Sequence, residues 1–236
     1  MTRYRAAAIH LGLSILAGLL LLSLFWYVWY PDPLLRALGG ADVFLLLVCV
    51  DVVLGPILTL VVFKSGKRTL RFDLAVIGIV QAAALVYGVY TMFLGRPIYL
   101  AGDGSRFIVV QASDLDPNQA HTNWAGPRWV GFALLKDATE HEKLMFTGFN
   151  YAGFPQTHIP LGSLREKFVE NGKSIDTLKR LNPGQEAAID SWLAAHGRQS
   201  PSVKFVPLQA TTEPMAVILD VNTAEIVGIA PFKPWS

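Results

Sequence analysis

Three stretches of the chain are almost unbroken by polar residues, whereas the rest changes between polar and apolar every few positions. The first runs from Ala6 to about Tyr30, interrupted only by His10, Ser14 and Ser23; the second covers Ala41 to Phe63 and the third about Phe72 to Leu94. A bilayer core about 30 Å thick is crossed by roughly 20 apolar residues in a helix, so each stretch is expected to span it with modest tilt. The first ends in Phe25-Trp26-Tyr27-Val28-Trp29-Tyr30, aromatics suited to the headgroup level. Arg3 and Arg5 ahead of it would also open a signal peptide. The run is longer than the roughly 7–15 residues of a signal core and no small-x-small cleavage site follows, so it reads as an uncleaved anchor.

After Arg96 the pattern is that of a folded domain. Ile98 to Ala101 and Phe107 to Gln111, joined through Gly102-Asp103-Gly104-Ser105, predict a hairpin. With the first strand only a few residues beyond the third span, the domain is expected to sit close to the membrane surface. Asp114 to Gln119 predicts a short helical turn and Arg128 to Leu134 a strand. Asp137 with Glu140 has capping-box spacing. Asn182-Pro183 with Gln185 predicts a second capped helix, ending at Gly197, with Ala188, Trp192 and Ala195 on its core face. Ser202 to Leu208, Met215 to Leu219 and Ile226 to Ile229 complete the expected strands. The expected fold is a membrane protein: a bundle of three transmembrane helices over residues 1–95, then one α+β domain over 96–236.

Charge changes this picture by orienting it. Lys64, Lys67, Arg68 and Arg71 crowd the loop 64–71 between spans two and three, which the positive-inside rule places in the cytoplasm. Arg3 and Arg5 then put the N-terminus there too, and three spans deliver the C-terminal domain to the far side, the periplasm of a bacterium. The front 95 residues hold 7 Lys/Arg and 4 Asp/Glu, the remainder 13 and 14. Neither part has the strongly basic footprint of a nucleic-acid binder. Cys49 is the single cysteine and lies inside the second span, which excludes disulfides and cysteine metal sites from the domain.

Catalytic spacings are missing: no G-x-S-x-G, H-E-x-x-H, P-loop or G-x-G-x-x-G occurs. His121, His141, His158 and His196 are scattered, and Asp114 with Asp116 reads as helix-initiation chemistry. No catalytic residue, metal or cofactor is expected. The spans are more informative. Asp51 lies about 18 Å from the cytoplasmic end of span two by the helical rise, near the midplane, where a carboxylate costs roughly 2.5–3.5 kcal/mol. At similar depth on span three lie Gln81 and Tyr87, about 12 and 21 Å from the same edge. Asp51 is expected either to hold the bundle together through one of them or to engage another protein's membrane helix. Pro56, after Gly55, removes a helical hydrogen bond and predicts a kink and a groove. Gly12, Gly18, Gly78, Ala82 and Ala83 offer surfaces for close helix approach.

The block Asp51-Val52-Val53-Leu54-Gly55-Pro56-Ile57-Leu58-Thr59-Leu60-Val61-Val62-Phe63-Lys64, with Lys67-Arg68-Thr69-Leu70-Arg71-Phe72-Asp73-Leu74, resembles the TfpX/TfpZ family of type IV pilin accessory proteins. The likeness extends through Gln81, Tyr87-Gly88-Val89-Tyr90 and Arg96-Pro97-Ile98-Tyr99-Leu100, and the plan of three spans and a periplasmic domain also matches. The resemblance implies a non-enzymatic accessory factor of the bacterial inner membrane. It would bind a cognate type IV pilin through membrane helix and periplasmic head, promote pilin stability or pilus assembly, and work beside the assembly machinery. Asp51, Gly55, Pro56, Gln81 and Tyr87 are the candidate intramembrane contacts. A membrane-anchored periplasmic enzyme acting on envelope or pilin is the alternative, and an envelope sensor a weaker one, since only short termini and one loop face the cytoplasm.

Overall fold

The computed structural model describes residues 2–117 and 124–235. Three long apolar helices, Arg3–Trp29, Gly40–Val62 and Leu70–Gly95, are each long enough to cross a membrane. Their bounds fall within a few residues of those read from the apolar runs. The second helix packs against both others, but only 11–17% of each apolar window is buried inside the chain. Most of the bundle surface is therefore left for lipid or another helix. Where the helices do meet, side chains are small. Gly18 lies against Val48, and Gly88 receives the end of Leu47 so closely that a methyl group could not be added. Gly12 and Gly78 instead border no other part of the chain, and Ala82 and Ala83 are exposed. Of the small residues expected at close approaches, only Gly18 is used inside the bundle, because spacing in sequence does not say which face a helix turns inward.

Hydrogen bonds and apolar packing connect the bundle to the C-terminal domain. A helix ends with carbonyls that lack intrahelical donors, and three side chains supply them at the end of the third span. Tyr30 Oη donates to the Met92 carbonyl at 2.6 Å, Gln111 Nε2 to that of Gly95 at 2.7 Å, and the Arg96 guanidinium to that of Phe93. The short link between spans one and two is built into the domain as well. Leu34 and Ala37, on a single helical turn Leu34–Ala37, are buried in the domain's largest apolar cluster beside Leu100, Phe107, Val206 and Met215. The Ala37 carbonyl accepts from the backbone of Thr212 and Glu213 at 3.1 and 3.0 Å. Gly39 turns the chain back into the membrane at φ +72, with Thr212 where a side chain would stand.

The domain is a curled mixed sheet with helical segments packed against both of its faces. Its strands are β1 (Pro97–Gly102), β2 (Phe107–Gln111), β3 (Arg128–Phe132), β4 (His158–Ile159), β5 (Lys173–Ser174), β6 (Val203–Gln209), β7 (Met215–Asp220) and β8 (Ile226–Ala230). The order is β4-β3-β1-β2-β6-β7-β8, with β5 beside β6. β1 and β7 are buried along their whole length, as expected of strands covered on both faces. Met215, Val217 and Leu219 point to the cluster holding Leu34, while Ala216 and Ile218 point to helices Ile175–Leu181 and Glu186–Ala195.

Two local expectations are corrected. Asn182 does not cap a helix: its buried amide binds the carbonyls of Leu178 and Lys233 and accepts from Lys233 N, and the next helix starts at Glu186. Its core face is Ile189 and Leu193, with Trp192 half-buried and Ala188 and Ala195 exposed. Asp114 closes a 3-10 turn at Ala112–Asp114, accepting from Gln111 N at 2.9 Å, and so ends a turn instead of starting one. The rest of the turn expected to Gln119 lies outside the described residues.

The β7–β8 turn gives a pH-dependent prediction. The buried Asp220 carboxylate accepts from Thr223 N at 3.1 Å and Asn222 N at 2.8 Å, with Arg198 Nη1 at 2.6 Å. These amides, chiefly Thr223, hold its pKa below the ordinary carboxylate value. A depressed folded pKa stabilises the protein at pH above the unfolded value, and that contribution is lost as the pH falls through the folded pKa. Asp220→Asn is therefore expected to lower the urea midpoint at pH 7, and the gap from the parent chain is expected to shrink below about pH 4.

Candidate functional site

The second span does not continue as a regular α-helix past Asp51. Residues Cys49–Leu54 form a π-helical segment in which Gly55 N donates to Val50 O, five residues back. The next donor in that ladder would be Pro56, which has no N–H, so the Asp51 carbonyl is left without its backbone partner. Gln81 on the third span takes the vacant place. Its Nε2 lies 3.5 Å from the Asp51 carbonyl and 3.4 Å from Asp51 Oδ1, both at the long, weak end of hydrogen bonding.

Gly55 is where the three helices meet. A Cβ there would collide with the Gln81 amide and stand 2.9 Å from His10 Nε2 on the first span. One turn further, His10 Nδ1 and Thr59 Oγ1 are 2.6 Å apart, and Thr59 is buried. Asp51, Gly55 and Thr59 thus form an i, i+4, i+8 stripe, bordered by His10 on one side and Gln81 on the other. Acceptors outnumber donors in it. Gln81 Oε1 is buried without a partner among the described residues, and Asp51 Oδ2 takes part in no hydrogen bond there.

Of the candidate contacts, Asp51, Gly55 and Gln81 come together, and Pro56, next after Gly55 in the chain, is buried. Tyr87 does not join them and is 73% exposed. Depth fixes only the rise along a helix. At 100° per residue, the six positions from Gln81 to Tyr87 turn the side chain about 240° away. In the charged loop, Lys67 pairs with Asp73 at 2.6 Å, while Lys64, Arg68 and Arg71 are exposed.

The domain's histidines are engaged locally. His141 Nδ1 meets Tyr151 Oη at 3.1 Å, His158 Nε2 the Ala152 carbonyl at 2.8 Å and His196 Nδ1 the Trp192 carbonyl at 2.8 Å; His121 lies outside the described residues. No group of three or more metal-ligating side chains occurs among the described residues. Among the described residues, open clefts of about 430–670 Å³ mark the domain, and no histidine lines these.

The chain matches no family model and no solved structure. It is 28% identical to the fimbrial assembly protein, serogroup I, of Dichelobacter nodosus, across 92% of this chain and 91% of that one. The serogroup E1 protein is 27% identical with the same coverage. The fimbrial assembly protein of serogroups C1 and C2 is 30% identical over 113 residues, 47% of this chain and 86% of its own. This chain belongs to the fimbrial assembly protein family. Its relatives carry the name of assembly proteins and not of an enzyme, and in this family member the spans and the domain both lie within the aligned length.

His10 and Thr59 also belong to the cluster, although neither was expected there. The signal was present: His10 is the one titratable side chain between Arg5 and Tyr27, and Thr59 follows Asp51 at twice the i+4 helical spacing.

Proposed function

We propose that this protein is a pilin accessory factor of TfpX/TfpZ type in a bacterial inner membrane. It binds a cognate type IV pilin and promotes its stability or its assembly into pili. The positive loop at Lys64, Lys67, Arg68 and Arg71 favours a cytoplasmic N-terminus and a periplasmic domain. A pilin before assembly would present a membrane helix and a head on these same two sides. Two modest contacts, one in the bilayer and one on the domain, would reinforce each other through effective concentration.

The surplus of acceptors at Asp51 carries the intramembrane half of this reading. A carboxylate near the midplane, met inside the chain by one neutral amide at 3.4 Å, is a site for a hydrogen-bond donor on a passing helix. Interhelical hydrogen bonds in bilayers contribute about 0.6–1.7 kcal/mol, so losing one is expected to weaken pilin binding about 3- to 20-fold. Asp51→Asn retains hydrogen bonding and Asp51→Leu does not. Asp51→Leu is expected to reduce both co-purified pilin and surface pili, with Asp51→Asn close to the parent. Equal piliation in the two strains would remove Asp51 from the account, and unchanged piliation and pilin stability in a deletion strain would overturn the function itself.

A further inference from the structure

Beyond the pilin contacts, the C-terminal domain presents a second membrane-directed feature. Residues 124–128, Trp-Ala-Gly-Pro-Arg, lead into β3 and are laid across the end of the first span. Gly126 N donates to the Val28 carbonyl at 2.7 Å, and the Trp124 ring meets Trp29 edge-on, centroids 6.3 Å apart. Trp29 closes the first span, so Trp124 sits at the depth where that helix leaves the hydrocarbon. It is 59% exposed, and the same end of the first span carries two further exposed aromatics, Trp26 and Tyr27.

Arg128 follows, paired in register with Tyr99 and exposed without an ion pair among the described residues. Tyr99 is four residues beyond Gly95, which at about 3.3 Å per residue lifts Arg128 no more than roughly 13 Å above the end of the third span. The headgroup layer outside the hydrocarbon core is about 5–8 Å deep on each side, and an arginine stem reaches back over much of the difference.

We infer that Trp124 and Arg128 form an interfacial anchor that seats the domain on the bilayer, the indole in the headgroup boundary and the guanidinium on lipid phosphate. The occupant of this surface is the leaflet from which the spans emerge. Its contact with the aromatic end of the first span, through Trp29 and the Val28 carbonyl, sets it apart from exposed apolar residues elsewhere on the domain such as Leu134 and Phe146. Tryptophan and arginine are the side chains suited to such a boundary, one end apolar and the other hydrated. The anchor holds the domain against the membrane at a place separate from the capped end of the third span.

The test uses the purified full chain in liposomes of phosphatidylcholine and phosphatidylglycerol, with Cys49→Ala as background and an environment-sensitive fluorophore on Trp124→Cys. Tyr27→Cys is the membrane control, and Leu134→Cys, two residues past the end of β3, is the aqueous one. The label at 124 is expected to be quenched by lipids spin-labelled near the headgroup as strongly as at 27, and at least threefold less by aqueous iodide than at 134. Trp124→Phe, with Cys49 intact and the parent trypsin pattern, checks that the site tolerates substitution. Iodide quenching at 124 equal to that at 134 in pure liposomes would overturn the anchor. Protection that appears only in native membranes would also overturn it and assign the surface to a protein.

Discussion

Leu34→Ala is expected to destabilise the C-terminal domain by about 2–5 kcal/mol although Leu34 lies between two membrane spans. For a chain of this size that corresponds to a fall of about 4–20 °C in unfolding midpoint. The reason is placement: Leu34 is 1% exposed and packs in the cluster formed by Leu100, Phe107, Val206 and Met215. Ala37 is fully buried beside it, and its carbonyl receives two backbone amides from the segment before β7. Removing the side chain leaves a cavity that the sheet cannot close without moving the link and both spans attached to it. Leu34→Asp would place an uncompensated carboxylate in the same cluster and is expected to prevent folding of the domain. Arg36→Ala is the control. It breaks an ion pair with Glu213 at 2.8 Å between side chains 65% and 45% exposed, and such exposed pairs contribute about 0–1 kcal/mol. Thermal unfolding in detergent and trypsin resistance separate the two. Equal midpoints for Leu34→Ala and Arg36→Ala would show that the link is not part of the core.

The second large effect is expected inside the bilayer, at Gly55. Gly55→Ala adds a methyl group where the Gln81 amide already stands, with His10 Nε2 2.9 Å away. Overpacking of this kind costs about 1–3 kcal/mol, and Gln81 can give way only by leaving Asp51. The expected result is a lower SDS concentration at half-unfolding together with a loss of pilin recovery at least as large as for Asp51→Leu. Gly78→Ala, where nothing in the chain stands within 4 Å, is expected to match the parent in SDS. Gly55→Ala combined with Gln81→Ala removes the collision. Its cost should therefore be smaller than the sum of the single changes, with a coupling of about 0.5–3 kcal/mol. Strict additivity would mean that Gly55 and Gln81 do not touch.

The spans and the end strands were legible because each rests on a one-dimensional signal: an unbroken apolar run, or β-branched residues around Gly102-Asp103-Gly104-Ser105. What escaped was set by rotation or by distant partners. Asn182 reads as a cap from its neighbours, yet its amide is held by Lys233, 51 residues away. Leu34 and Ala37 look like an ordinary connecting loop, since nothing local says that a sheet built from residues beyond 96 will close over them. In the candidate site, the depth of Asp51 and Gln81 followed from counting residues at 1.5 Å each. Choosing Gln81 over Tyr87, or adding His10 and Thr59, required the face of each helix. The π-helical segment Cys49–Leu54 shifts that face midway along the second span, and Pro56 is the residue that leaves the Asp51 carbonyl open to Gln81.

The Asp51 face of the second span is the surface proposed to receive a pilin helix. A photo-crosslinking residue at Leu58, 45% exposed and about two turns along that face, tests it in native membranes, with Val53, 49% exposed and turned well away from Asp51, as the control. A crosslinked band containing pilin is expected from Leu58, several-fold stronger than from Val53 and diminished by Asp51→Leu. Crosslinks of equal strength from both positions, or none to pilin from Leu58, would contradict it.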